Sequence, residues 1–221
     1  MTPRGHRPAH YDEGMSSRRP LRIVLIALLV LAVIVLAGVL AVLLPILTHQ
    51  SAGGSGQRVP QDFAAESSAE GADGRTRTLS VETADGQPAE LDALNPGERL
   101  VVRGEGFDSG IGIYLAICGI PASPEEKPGP CLGGIPEGAM TGEADESLLA
   151  SAWITNDWAW RNFATHGFGE NGSFEVELTV PEASGDGIDC RVDRCAIATR
   201  ADHTASGDRV QDMLLPVAFR D

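Results

Sequence analysis

A short segment near the C-terminus concentrates the side chains that could do chemistry. Within thirteen positions it carries acidic, basic and imidazole groups: Arg200, Asp202, His203, Asp208, Arg209 and Asp212. Aspartate side chains form turns with nearby backbone N–H groups, and arginine can hold a carboxylate through two hydrogen bonds. We interpret the segment as a salt-bridge and hydrogen-bond network that makes a long loop rigid.

The same loop allows two chemical alternatives. Asp202, Asp208 and Asp212 could place carboxylate oxygens around a hard cation, although their spacing is not that of an EF-hand. His203, Ser206 and an aspartate are the residue types of a hydrolase triad, but the sequence lacks the G-x-S-x-G motif that holds such a nucleophile. We therefore expect a binding protein without catalytic residues, a resident metal or a cofactor.

Aromatic residues form a second candidate site. All three tryptophans fall within eight positions, and further rings follow: Trp153, Trp158, Trp160, Phe163, His166 and Phe168. Such rings can close the end of a β-sandwich, or they can form an interface, because they bury a large area. We expect Trp153 in the core, because it lies on a predicted strand. The predicted binding surface consists of Trp158, Trp160, Phe163 and His166.

Short apolar segments separated by Gly, Pro and Asp must position these residues, and this pattern is typical of an antiparallel β-sandwich. In residues 173–180 apolar and polar side chains alternate, so one face should be buried and the other exposed to water. Six further strands are predicted at 79–83, 99–103, 113–118, Ser151–Ile154, 195–200 and 213–219. Pro216 lacks a backbone donor, so the last strand should lie at a sheet edge or carry a bulge.

Four cysteines follow the first third of the chain, at Cys118, Cys131, Cys190 and Cys195. They allow three pairings. Pairing of neighbours is favoured, because each neighbouring pair flanks a turn that contains Pro, Gly or Asp beside a strand. The C-x-x-C spacing of a zinc ribbon is missing. All four lie in the part of the chain that is predicted below to be exported, where disulfides persist.

Residues 23–47 carry no charge. At about 1.5 Å per residue they reach roughly 37 Å, enough to cross a hydrocarbon core of about 30 Å. A signal peptide would have an apolar stretch of only about 7 to 15 residues. Arginines concentrate before the run, so the sequence predicts a single-pass cell-membrane protein with residues 1–22 in the cytoplasm.

The remainder of the chain is predicted to lie outside the cytoplasm. Residues 48–76 are rich in Gly, Ser, Ala and acidic side chains, which predicts a disordered acidic linker, and residues 77–221 have the length of one domain. From residue 48 onward there are 12 basic and 29 acidic side chains, a formal charge of −17. Such a charge repels phosphate backbones, so nucleic acid is not an expected partner.

Five segments, in their order along the chain, resemble the neocarzinostatin-type immunoglobulin-like fold: NPGERLVVRGEGF at 95–107, GIYLAIC at 112–118, NGSFEVELTV at 171–180, DCRVDRCAIATRADHT at 189–204 and LPVAF at 215–219. The resemblance implies an all-β, immunoglobulin-like antiparallel sandwich of about seven strands. It also implies two local disulfides, the second one joining Cys190 and Cys195. The chain departs from the antibiotic carriers of this type between Cys131 and Ser173, where a long segment would cover the chromophore region.

A narrower resemblance concerns TRADHTASGDRVQD at 199–212 together with Ser151–Ile154. These segments look like the immunoglobulin-like modules of actinobacterial cell-surface proteins, which often sit beside the haem-binding HtaA domain. The resemblance implies a haem-uptake neighbourhood. With the apolar run, we predict a membrane-anchored cell-envelope module that binds an unknown envelope protein or a small ligand. The alternative is an accessory haem- or small-ligand-binding protein of a surface uptake system, in which Tyr114, His166 or His203 could ligate haem.

Overall fold

The computed structural model describes residues 18–134 and 149–220, and the chain divides into two units after Leu44. The first unit contains most of helix α1, Arg18–Thr48. Within α1 the stretch Pro20–Thr48 is long and apolar enough to cross a membrane, and the predicted span 23–47 lies inside it. A helix that is apolar on all sides suits a lipid environment. The predicted cytoplasmic segment 1–22 lies mostly outside the described residues.

The second unit contains ten short strands in the part of the chain that the structure describes. In chain order they are β1 Glu66–Glu70, β2 Thr76–Thr83, β3 Arg99–Glu105, β4 Ile113–Gly119, β5 Ser151–Ile154, β6 Phe174–Thr179, β7 Ser184–Gly185, β8 Ile188–Asp189, β9 Cys195–Ala201 and β10 Met213–Val217. They form two antiparallel four-stranded sheets, ordered β1-β2-β3-β6 and β10-β9-β4-β5, and a β7-β8 hairpin. All seven predicted strands are present, and β10 with its Pro216 is an edge strand.

The two sheets share one apolar core. Alternation along β6 buries Phe174, Val176 and Leu178, and Leu115 and Ile197 of the second sheet belong to the same core. A fully buried side chain of this kind contributes about 1.5 to 3 kcal/mol relative to exposure. The prediction of an all-β sandwich of antiparallel sheets, preceded by one apolar helix, is confirmed.

Residues 48–76 do not form the disordered linker that their composition predicts. β1 lies in this range and pairs with β2 along its whole length. Further upstream, the His49 ring and the Ala52 N–H are hydrogen bonded to Oδ2 of the buried Asp208, at 2.9 and 3.2 Å. The prediction is wrong because these contacts with the folded domain offset an ordering entropy that the segment's own apolar content cannot offset. The ordered unit therefore begins well before residue 77.

Gln57 holds the same segment against two sheet edges. Its Nε2 donates to the backbone oxygen of Leu214 at 2.8 Å and to Ser67 Oγ at 2.9 Å, while its Oε1 accepts from the Leu214 N–H at 2.8 Å. Leu214 lies on the edge strand β10, and Ser67 lies on β1, the edge of the other sheet. One amide side chain thus satisfies the backbone groups of Leu214 and links both sheets.

Both disulfides join neighbouring cysteines, Cys118 with Cys131 and Cys190 with Cys195, which confirms the predicted pairing. The first closes the loop between β4 and Leu132, and the second closes the loop that precedes β9. Each bond therefore fixes a loop beside a strand of the second sheet.

The two disulfides should differ in their effect on stability. In the chain-entropy model, closing the longer loop stabilises by about 3 kcal/mol and closing the shorter loop by about 2 kcal/mol. Urea unfolding of a Cys118→Ala/Cys131→Ala variant should show the larger loss, and a Cys190→Ala/Cys195→Ala variant the smaller. A larger loss for the shorter loop would contradict the loop-entropy account.

Candidate binding site on the outer face of the second sheet

A row of large side chains crosses the second sheet on the face away from the core. The strand register places Arg200 of β9 beside Tyr114 of β4, and Tyr114 beside Trp153 of β5. Successive side chains of a strand point to opposite faces, so this row lies opposite the buried Ile113 and Leu115. The Arg200 guanidinium carbon lies 6.0 Å from the Tyr114 ring centroid, within cation–π range.

His203 completes an aromatic cluster, which we define as Tyr114, Trp153, Trp160 and His203. A single 3₁₀ turn, His203–Ala205, follows β9 and folds the imidazole back over the row. Its ring centroid lies 4.8 Å from that of Trp160 and 5.2 Å from that of Trp153, and its Nδ1 is hydrogen bonded to the Tyr114 hydroxyl at 2.8 Å. Rings from a strand pair, a turn and a loop thus meet on one surface.

The buried carboxylate of Asp202 fixes this cluster. Its Oδ2 accepts from Trp153 Nε1 at 2.9 Å, and its Oδ1 accepts from the Thr204 N–H at 2.8 Å and the Thr204 hydroxyl at 2.6 Å. Gly112 makes room for the carboxylate, because a Cβ there would lie 2.1 Å from Oδ2. The prediction that Trp153 lies in the core is therefore wrong: its ring is half-buried on the outer face, where the indole N–H finds an acceptor.

The predicted binding surface divides into exposed and packed rings. Trp158 is 66% exposed and Phe163 is 52% exposed, whereas Trp160 is half-buried against Trp153 and His203. His166 instead borders β5: its backbone N–H donates to the Trp153 oxygen at 3.0 Å. Trp158 and Phe163 are therefore the large predicted rings that a partner could cover.

In the loop that contains the predicted charged network, the three carboxylates are used separately. Asp202 holds Trp153 and Thr204, and Asp208 accepts from His49, Ala52 N–H and Val210 N–H. Asp212 pairs with Arg209 at 2.9 Å. Each carboxylate thus makes its own contacts rather than joining one network, and the partners of Asp202 and Asp208 include residues distant in the chain. Within the described residues no His, Cys, Asp or Glu group is arranged to hold a metal ion, and no hydrogen bond joins His203 to Ser206.

Burial changes the acidity of two groups on this face. It raises the pKa of Asp212 to about 7, and this effect outweighs the lowering by the Arg209 guanidinium. Burial, together with the negative charge of Asp202, also raises the pKa of the Tyr114 phenol. At neutral pH Tyr114 is therefore a neutral hydroxyl, able to donate a hydrogen bond to His203 Nδ1.

A cleft of about 1020 Å³ opens on the same face, between residues 51–59 and the loop 120–128. Asp212, Leu214 and Arg209 line it. Val59 and Ile120, which also line it, pack against small side chains on the outer face of the sheet. Its size is that of a small-molecule site.

Comparisons with known proteins give limited similarity. No protein-family model matches the chain. A curated relative, thiamine biosynthesis protein X of Corynebacterium glutamicum, is 32% identical over 127 residues, which cover 58% of this chain and 58% of the relative. This chain therefore matches little more than half of that protein's length. Among solved structures macromomycin is similar at 16% identity and a TM-score of 0.34, over 64% of this chain and 98% of macromomycin.

Patterns in the sequence do not identify Tyr114 and Asp202 as partners of His203 and Trp153. The sequence indicates Tyr114 only as a possible haem ligand, and Asp202 only as part of the charged loop or of a cation site, yet together they orient His203 and Trp153. The alternating pattern of β4 places Tyr114 outward, which is a usable signal. The strand register that brings it beside Trp153 has no signal of its own, because loops of very different length separate β4, β5 and β9.

Proposed function

We propose that this protein is a single-pass membrane protein whose exported β-domain is a non-catalytic binding module of the cell envelope. One observation carries the proposal: two large rings, Trp158 and Phe163, stay exposed beside a rigid aromatic cluster. Rigid aromatic anchors supply most of the energy at many interfaces. The two local disulfides and the sequence resemblance support a neocarzinostatin-like immunoglobulin module.

The proposed anchor rests on α1 and on the oxidised cysteines, which fit an exported domain. Protease added outside wall-free cells should remove the β-domain and leave an N-terminal fragment that contains residues 1–22. Mass spectrometry of the purified protein tests the alternative. A mature chain that begins near Ser51 would show that the apolar helix is a cleaved signal sequence.

The partner is an envelope protein that covers Trp158 and Phe163. Replacing both with Ala should weaken capture of the partner from envelope extracts by at least about 30-fold, since truncating a central anchor costs about 2 kcal/mol or more. The melting temperature should stay nearly unchanged, because neither ring is buried. Val192, 82% exposed at the tip of the second disulfide loop, provides a matched control through Val192→Ala. Equal capture by both variants would place the partner elsewhere.

A small-ligand carrier is the second candidate, favoured by the hydrogen bond between the Tyr114 hydroxyl and His203 Nδ1. Tyrosine and histidine can both ligate haem iron. The name of the curated relative adds thiamine, an aromatic cation that could stack on the rings of the cluster. Haem titration should give a Soret band that Tyr114→Phe abolishes, whereas thiamine binding should depend on Trp160. If neither ligand binds, this candidate fails.

A further inference from the structure

The two exposed rings, Trp158 and Phe163, belong to one short turn segment, residues 157–163. Hydrogen bonds inside this turn segment fix its shape: the Trp160 N–H donates to the Asp157 oxygen at 3.1 Å, and the Phe163 N–H donates to the Trp160 oxygen at 2.8 Å. The exposed rings are therefore presented as a unit. Their direction depends on the contacts that hold the turn segment against the second sheet.

Contacts at two points hold the turn segment. At the first point the Trp160 ring packs against the sheet, where its centroid lies 6.3 Å from that of Trp153 and 4.8 Å from that of His203. At the second point the Asp157 N–H donates to Oγ1 of the buried Thr155 at 3.2 Å. The orientation of the turn segment therefore depends on what fixes the Trp153 and Thr155 side chains.

The Asp202 carboxylate adjoins both points. Its Oδ2 accepts from Trp153 Nε1 at 2.9 Å. A Cβ at Gly112 would lie 2.1 Å from this oxygen and 2.9 Å from Thr155 Oγ1, so the carboxylate and the hydroxyl border the same small space. Asp202 is fully buried, so a partner on the surface does not touch it.

The donors around Asp202 require a carboxylate. The indole N–H of Trp153 faces Oδ2, and the backbone N–H of Thr204 faces Oδ1 at 2.8 Å. Neither group can accept a hydrogen bond, so both oxygens must be acceptors. An amide has one acceptor oxygen, and its NH₂ group would face one of the two donors. Asp202→Asn therefore loses either the contact with Trp153 or the contact with Thr204.

We propose that Asp202 is a positioning residue for the binding surface and acts through the Trp153 and Trp160 rings. Its carboxylate holds Trp158 and Phe163 in the one orientation that the partner recognises. A surface that is fixed in its bound form loses less conformational freedom on binding, which raises affinity. The inference rests on the proposed function, because it takes the two exposed rings as the contact surface.

Fluorine NMR of the full chain labelled with 5-fluorotryptophan, in neutral detergent, tests the orientation. The chain has three tryptophans, all of them in this region, so the spectrum reports on the surface alone. In Asp202→Asn the Trp158 resonance should shift or divide, because the turn segment then takes more than one orientation. Gly207→Ala is the control in the same loop: a Cβ there meets nothing within 4 Å, so its spectrum should match that of the unchanged protein.

Trp153→Phe tests the path from the carboxylate to the turn segment. It removes the indole N–H but keeps a ring against Trp160, and it should change the Trp158 resonance as Asp202→Asn does. Adding Asp202→Asn to Trp153→Phe should cause little further change, because the amide NH₂ then faces no indole donor. The proposal is overturned if Asp202→Asn leaves the Trp158 resonance unchanged, or if Trp153→Phe does so where Asp202→Asn does not fold.

Capture of the partner from envelope extracts gives the second measurement. If the recognised orientation falls to about a tenth of the molecules, capture weakens about tenfold, and we expect a loss of this size for Asp202→Asn. Undiminished capture by Asp202→Asn, where the Ala variant of Trp158 and Phe163 captures less, would overturn the proposal. Undiminished capture by that Ala variant would instead contradict the proposed function, and the fluorine spectra would still decide whether Asp202 orients the turn segment.

Discussion

Replacing Arg77 with Met should lower the free energy of unfolding by about 3 to 5 kcal/mol, the loss expected when one partner of a buried ion pair is removed. Arg77 is fully buried, and its two terminal nitrogens donate to the Asp73 carboxylate at 3.0 and 2.5 Å. Its Nε donates to Gln211 Oε1 at 2.8 Å. The methionine fills a similar volume, but the Asp73 carboxylate then keeps only the longer hydrogen bond from the Arg75 N–H, and the Gln211 amide oxygen keeps only the one from the Asp108 N–H, both at 3.2 Å. Urea unfolding measures the loss.

Arg75 gives the matched control for Arg77. Its side chain is 49% exposed and lies 3.9 Å from the same Asp73 carboxylate. An exposed ion pair contributes about 0 to 1 kcal/mol, so Arg75→Met should be nearly neutral. Equal losses for the two variants would mean that the charge on Asp73 matters and the burial of its partner does not.

The domain should lose stability as the pH rises from about 4 to about 7. Asp212 has a pKa of about 7 in the folded state, while its ordinary value is 3.8. Between these values the folded state binds more protons than the unfolded state, so the free energy of unfolding falls as protons leave. At about 1.4 kcal/mol per pH unit, the effect of this one group reaches up to about 4 kcal/mol.

Asp212→Asn isolates this effect. The asparagine oxygen can still accept from Arg209, but the side chain does not titrate, so its stability advantage over the unchanged protein should grow with pH up to about 7 and then level off. Asp73 affects stability in the opposite direction. Arg77 lowers the pKa of the Asp73 carboxyl below its ordinary value of 3.8, so Asp73 stabilises the fold above that pH, and this stabilisation is lost as the pH falls below it. The unchanged protein and the Asp212→Asn variant both lose the Asp73 contribution at acidic pH. Parallel pH profiles of unfolding would contradict the role of Asp212.

Local patterns in the sequence predict the strands of the first sheet well, because β2, β3 and β6 alternate between core and solvent. Residues 173–180 show this most clearly, and β6 buries the alternate side chains that the pattern indicates. The disulfides were predictable for a similar reason, since each bond closes a loop beside a strand. Both features depend on residues close together in the chain.

Features that depend on distant partners were not predictable. β1 has the sequence ESSAE, with one small apolar residue, and its order comes from hydrogen bonds to β2. Trp153 was expected in the core because it lies on a predicted strand, but its indole N–H reaches Asp202 on the outer face. The site therefore arises from strand register, which a pattern along the chain does not contain.

Gln57 has a consequence for how copies of this protein behave when they are crowded. An unpaired strand edge is a template on which an extended segment of another molecule can polymerise. By occupying both backbone groups of Leu214, one side chain removes that template without adding a strand. Loss of the Gln57 side chain would change how copies of the protein associate in solution more than it would change the fold. Fibres or chains of domain-swapped molecules would be the first sign.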